Sequence, residues 1–151
     1  MNKYMKMAIN EARRGIKMRH GGPFGAVIVK DGKVLARGHN EVIRLSDPTC
    51  HGEVQAIRRC AKKLGTHDLS GCVIYTTGEP CPMCLGAIMW ANIDKVYYGC
   101  NTVDTEIIGF RDKMFYERSA ADRRGFAEEL EREECLKLYR EYADMTDKEE
   151  Y

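Results

Sequence analysis

The amino-acid sequence predicts an α/β protein, a mixed sheet with helices on both faces, and three features carry that prediction. Apolar residues recur at helical spacing near the start of the chain. Two short β-branched runs flank an Asp-Gly dipeptide. From Cys72 onward strand-like and helix-like segments alternate, which implies parallel strands joined by right-handed crossovers.

Met5, Ala8, Ile9, Ala12 and Ile16 give residues 2–18 the stripe of an amphipathic helix with its charged face outward. "HGGPFG" (20–25) then breaks it. "GAVIVK" (25–30) and "KVLAR" (33–37) on either side of Asp31-Gly32 predict a β-hairpin, since that dipeptide favours a two-residue turn. "SDPT" (46–49) supplies N-cap residue types ahead of His51, and Val54, Ala56, Ile57, Cys60, Ala61 and Leu64 continue a helix that stops at Gly65. "CVIYT" (72–76) reads as a buried strand. Pro82 suits the first position of a helix "PMCLGAIMWA", where no amide hydrogen is needed, and "KVYYG" (95–99) is the next strand. From Arg124 to Tyr142 the chain is mostly helix-forming, with Phe126, Leu130, Leu136 and Leu138 as apolar anchors.

A chain of 151 residues with no Pro/Gly/Ser-rich linker is expected to form one domain, 1–151, with 122–151 as a C-terminal helical segment. No apolar run reaches the ~18 residues of a membrane span, and the charged N-terminus is unlike a secretory signal, so the expected location is the cytoplasm. Seven cysteines, an odd number, argue against a disulfide framework and for metal ligands or buried thiols. Cys60, Cys72 and Cys100 sit in apolar contexts and read as core thiols. The net charge of +1 hides an asymmetry: residues 122–151 hold 11 acidic and 6 basic side chains, a net of −5, which leaves +6 for residues 1–121. That tail fits either a solvated helix face or a segment lying on a basic surface.

Two separated fragments carry the chemistry, His51-Gly52-Glu53 and Pro80-Cys81-Pro82-Met83-Cys84. Both fall at predicted helix starts, where free amide hydrogens and the helix dipole favour thiolate over thiol. Cys81 and Cys84 are three apart, so one turn brings their sulfurs to the same side. If the two helix starts face each other, the ligand set is Cys₂His. Two sulfurs and an imidazole suit Zn2+ and leave a fourth position open, as catalytic sites do; a structural site would be closed by a fourth residue, and Cys50, the nearest candidate, should point elsewhere as the neighbour of His51. Glu53 lies about 200° around the helix from His51. It is therefore placed beside the open position rather than on the metal, where a carboxylate can carry protons between activated water and substrate.

In residues 1–120 these motifs, with "GGPFGAVIV", "GHN", "DPT" and "EPCPMCLGAI" in the same order, resemble the zinc-dependent cytidine and nucleobase deaminase superfamily. The resemblance implies a three-layer α/β/α fold with about five strands, and hydrolytic removal of an exocyclic amine. "GFRDKMFYE" (109–117) and the terminal "KEEY" are most similar to bacterial guanine deaminases of the cytidine-deaminase type, which implies guanine as substrate and xanthine plus ammonia as products. Carried over position by position, Asn40 would hydrogen-bond the base, Phe24 and Trp90 would pack against it, and the Gly52 amide would donate to it. Asp112 would sit near the guanine amine and assist proton transfer. Tyr151 would close the pocket of a neighbouring subunit in a domain-swapped homodimer. His20, His39 and His67 lie in polar loop contexts and receive no role.

Gly52 stands where guanine deaminases usually carry alanine, and His-Gly-Glu also occurs in cytosine deaminases, so cytosine and other amino-heterocycles or nucleosides stay open as substrates. A tRNA adenosine deaminase shares the zinc motifs, and Arg13, Arg14, Lys17 and Arg19 with Arg58, Arg59, Lys62 and Lys63 would offer it a basic surface. The acidic tail and "GFRD" speak against nucleic acid. A zinc-stabilised binding module without catalysis is the third reading, and Glu53 speaks against it, because a structural site has no use for that carboxylate.

Overall fold

Asp31 and Gly32 both take positive φ, 48° and 76°, the turn geometry that joins β1 (Gly25–Lys30) to β2 (Lys33–His39) with the right twist. The pair is antiparallel, with Gly25 opposite His39 and Val29 opposite Val34. The other edge of β1 pairs antiparallel with β3 (Val73–Gly78), and β4 (Lys95–Cys100) runs parallel to β3. The order β2-β1-β3-β4 is the predicted mixed sheet. Described in this computed structural model are residues 1–118 and 126–149, and the chain divides into two units, Met1–Tyr116 and Glu117–Tyr151.

Alternation along β1 sorts its side chains between two layers. Val27 and Val29 meet α1 (Lys3–Lys17) through Ala8, with Tyr4 and Met5 at the margin. Ala26 and Ile28, with Ile74 of β3, meet Ala56 and Cys60 of α3 (Gly52–Leu64) and Ile88 of α4 (Pro82–Trp90). The layers are α/β/α. Gly38 of β2 allows the close seating of α3: a Cβ there would lie 2.5 Å from the Gly52 carbonyl oxygen and 2.6 Å from the Ala56 nitrogen. Gly65 takes the left-handed C-cap of α3, and Pro82 opens α4, both as expected.

Other expectations are corrected. The sheet of the described residues has four strands, not about five. After β4 come α5 (Thr102–Ile107), where the reciprocal cap of Asn101 and Asp104 starts a helix although Val103, Thr105 and Ile107 alternate with acidic residues as in a strand, and α6 (Asp112–Glu117). Cys60 and Cys72 are buried, but Cys100, at the end of the edge strand, is exposed. The N-cap of α3 is His51 itself, and Asp47 instead accepts from the Thr49 amide and hydroxyl in the turn before it. In the second unit the helix is α7 (Arg132–Asp144), beginning eight residues later than expected, and Phe126 (79%), Leu130 (80%) and Leu138 (62%) are exposed in the single chain rather than anchored. No helix of the described residues is long and apolar enough to cross a membrane.

From the last residue of β2 to the start of α2 (Val42–Leu45) runs His39-Asn40-Glu41, all three buried. Glu41 fixes this segment to α3 by accepting from Gln55 and Arg59, and also accepts from Arg44. Burial alone would raise its pKa, but the Gln55 hydrogen bond and the Arg59 and Arg44 guanidiniums outweigh it and hold the carboxyl below its ordinary 4.5. A depressed folded pKa means the stabilisation is complete above 4.5 and is lost as pH falls through the lower folded value. Glu41→Gln is therefore expected to cost about 1–2 kcal/mol near neutral pH, limited by the half-exposed guanidiniums. In urea unfolding the gap from the parent should close in acid; a constant gap from pH 7 to 3 would contradict the ionic role.

Candidate active site and metal centre

His51 and Cys81 occupy the same structural position on different helices. Each is an N-cap in extended conformation, φ −68° and ψ 158° for His51, φ −65° and ψ 168° for Cys81, so each side chain lies at a helix start rather than along its flank. Cys84 follows in the first turn of α4. His51 Nδ1 stands 3.7 Å from Cys81 Sγ and 3.5 Å from Cys84 Sγ. A tetrahedral zinc with Zn–S of about 2.3 Å and Zn–N of about 2.05 Å requires N···S separations of about 3.6 Å. The three side chains thus fit a zinc ion without rearrangement. Cys50 is buried but turned away, its sulfur accepting from Arg58 at 3.3 Å, so the set is Cys₂His and no fourth described residue joins it.

The electrostatics suit a dication. Cys81 is drawn down to about 4 by its hydrogen bonds with Cys84 and His51, while Cys84 is pushed up by sharing its proton with Cys81 and by burial. His51 is raised, chiefly by its hydrogen bond to Cys81. Glu53 is buried, its Oε2 3.4 Å from Cys84 Sγ, and its pKa is raised by desolvation and then by the Cys81 charge. A carboxyl that readily takes up a proton is what general acid-base work needs.

These groups form one end of a cavity of about 700 Å3. Phe24 and Phe110 wall it edge to face, ring centroids 4.8 Å apart, and Gly22 permits that approach, since a Cβ there would lie 2.7 Å from the Phe110 ring. Asn40 reaches the lining with its Oδ1 engaged by the Val42 amide at 3.1 Å, which leaves its amide nitrogen for other partners. Gly52 opens α3 beneath, where first-turn amides have no intrahelical acceptor. Asp112, at the start of α6, faces the metal end and is raised by burial and then by Cys81. Tyr116 of the same helix donates to the Pro80 carbonyl and so holds α6 against the start of α4.

Of the sequence-predicted site residues, His51, Glu53, Cys81, Phe24, Asn40 and Asp112 line this cavity, with Cys84 and Gly52 directly behind. Trp90 does not. It ends α4, about 12 Å along the axis from Pro82, is 66% exposed, and is absent from the lining, so within one chain it cannot stack on a base held at the metal. Tyr151 lies outside the described residues. Phe110, Arg111 and Glu79 line the cavity without having been singled out as site residues. Their signal was adjacency, Glu79 to Pro80-Cys81 and Phe110-Arg111 to Asp112, and nothing in spacing distinguishes them from loop residues.

Residues 1–100 match the family model of the cytidine and deoxycytidylate deaminase zinc-binding region. Guanine deaminase of Bacillus subtilis is 41% identical over 98% of this chain and 97% of its own length. A crystal structure of that enzyme superposes with a TM-score of 0.92, covering 100% of this chain and 99% of the other. The tRNA-specific adenosine deaminase of Aquifex aeolicus is also 41% identical, but over 63% of this chain and 62% of its own. A guanine deaminase structure from Nitrosomonas europaea, at 32% identity, gives a TM-score of 0.68 over 71% of this chain and 62% of that one. With a zinc-ready Cys₂His triad, a buried glutamate beside it and this family match across its first hundred residues, the chain belongs to the cytidine and deoxycytidylate deaminase family of zinc-binding proteins.

Proposed function

We propose that this chain is a hydrolytic deaminase of a free nucleobase, converting guanine and water to xanthine and ammonia. The observation that carries the chemistry is the buried Glu53 beside a three-ligand zinc set that faces a cavity able to hold a purine. What favours guanine is the likeness to guanine deaminase over 98% of this chain, where the likeness to tRNA-specific adenosine deaminase covers 63% of it.

His51, Cys81 and Cys84 would hold the ion, which supplies Lewis acidity that makes water a nucleophile near neutral pH. Glu53 takes the proton released as water adds to the amine-bearing ring carbon and delivers it to a ring nitrogen; it then takes the proton of the newly added hydroxyl and passes it to the departing amine, so that ammonia leaves and a carbonyl remains. Phe24, joined by Phe110, packs on the base and excludes water from the ring faces. The Asn40 amide and the Gly52 amide orient the ring edge. Asp112, its proton affinity raised by burial, receives the exocyclic amine and assists its proton transfer.

The working unit is a homodimer in this reading, with segment 122–151 exchanged and Tyr151 closing the neighbour's pocket. Exposed apolar side chains on α4 and β4, among them Met89, Trp90, Tyr97 and Tyr98, support a covered face there, and a partner's Trp90 is then available to a site it cannot reach in its own chain. Free thiols at all seven cysteines suit a reducing cytoplasm. A second reading, deamination of tRNA adenosine, rests on the shared zinc region alone.

Ultraviolet assays with guanine, cytosine, adenine and tRNA should release ammonia from guanine in preference; ammonia from another substrate but none from guanine would remove this assignment. Glu53→Gln should lower kcat by about 10²–10⁴ while zinc content and KM stay within a few fold, because the carboxylate acts on the transition state. An unchanged kcat would take Glu53 out of proton transfer. Cys84→Ala should purify with well under one zinc per chain and with activity lost in proportion; full zinc occupancy would mean that the ligand set is misassigned.

A further inference from the structure

On the opposite side of the Asn40 segment from the active site is a second cavity, of about 660 Å3, that the deaminase chemistry does not use. At its base His39 and Glu41 are buried, and His20 nearly so. His39 Nδ1 lies 3.1 Å from Glu11 Oε2, and His39 Nε2 lies 2.9 Å from His20 Nδ1. A carboxylate can only accept, so His39 donates to Glu11 through Nδ1, and a single proton between His39 Nε2 and His20 Nδ1 joins the two rings.

His20, His39 and Glu41 have the donor types of a metal site, but the surrounding charge opposes one. Arg14 of α1, Arg37 of β2, Arg44 of α2 and Arg59 of α3 converge on the cavity from four separate elements. Only Glu11 and Glu41 offset them, which leaves two positive charges. Three of the Glu41 lone-pair positions are already taken by Arg44, Arg59 and Gln55. Arg14 and Arg37 make no side-chain hydrogen bond or ion pair with a described residue. Guanidiniums gathered in one concavity without matching carboxylates call for an anion, and their planar forks match phosphate oxygens.

We infer that this cavity is a second ligand site, for a small phosphate-bearing molecule, held by Arg14 and Arg37 at the rim and by the outward N–H groups of Arg44 and Arg59. Its volume exceeds what inorganic phosphate fills and suits an ester the size of a nucleoside monophosphate. Nothing in the inference depends on which base the active site deaminates.

The test is calorimetric titration of the zinc-loaded protein with inorganic phosphate and with uridine 5′-monophosphate, whose base carries no amine to remove, each against sodium chloride of equal ionic strength. Saturable binding is expected for one or both, the tighter of the two identifying a free phosphate or an ester as the occupant. It should weaken at least tenfold in Arg14→Gln/Arg37→Gln, with thermal midpoint and zinc content unchanged. Heat no greater than that of chloride, or binding indifferent to the double substitution, would overturn the inference. So would a second equivalent of zinc that is lost in His39→Gln while phosphate fails to bind, or affinity for tRNA with none for the two small probes.

Discussion

The active site depends on how closely α3 can lie on the end of the β-hairpin. At Gly38 the strand and helix backbones are nearly in contact, and Gly52 brings α3, less tightly, towards the Phe24 carbonyl, which a Cβ at 52 would meet at 3.0 Å. This seating sets where α3 begins, and therefore where the His51 ring is. On the neighbouring strand, β3 ends at Gly78 and α4 starts four residues later, which puts Cys81 and Cys84 at the same edge of the sheet. A larger side chain at position 38 would push α3 outward and move the imidazole by more than a metal–ligand bond tolerates. The three ligands come from two helices, but their geometry is a property of strand–helix contact.

Burial then gives these groups their chemistry. The same desolvation that makes a lone thiolate costly lets Cys81 and Cys84 share a proton and raises the proton affinity of Glu53. A divalent cation among them would take the place of those protons. Glu53, two residues from His51, is directed beside the ligands and not among them. That offset keeps the carboxylate out of the Cys₂His group within one helical turn.

The wall formed by His39, Asn40 and Glu41 divides two cavities of opposite character. Asn40 faces an aromatic chamber with a metal end, while His39 and Glu41 face a polar recess rimmed by guanidiniums. Strand-like alternation explains the division, since successive side chains leave an extended backbone on opposite sides. Gly21 belongs to the same wall: a Cβ there would fall 2.0 Å from Asn40 Oδ1, so the loop after α1 presses directly on the asparagine. The Glu41 ion pairs secure the segment to α3, and the position of Asn40 is thus referred to the helix that carries His51 and Glu53.

The sequence by itself determined whatever is encoded within a few residues. The 3.6-residue stripe of α1, the Asp31-Gly32 turn, Pro82 at a helix start and the spacings His51-x-Glu53 and Cys81-x-x-Cys84 each report a local geometry that the backbone must adopt. Because those local geometries place the side chains, the grouping of His51, Cys81 and Cys84 able to hold a metal was legible before any fold was known. Only the tertiary structure decided what meets across long separations. It brought Phe110 onto Phe24, set Glu79 in the cavity wall, carried Trp90 away from it, joined His20 to His39 and exposed Cys100 on an edge strand. Contacts between distant residues depend on how elements pack and on which face of each is turned inward, and no local period or spacing records that.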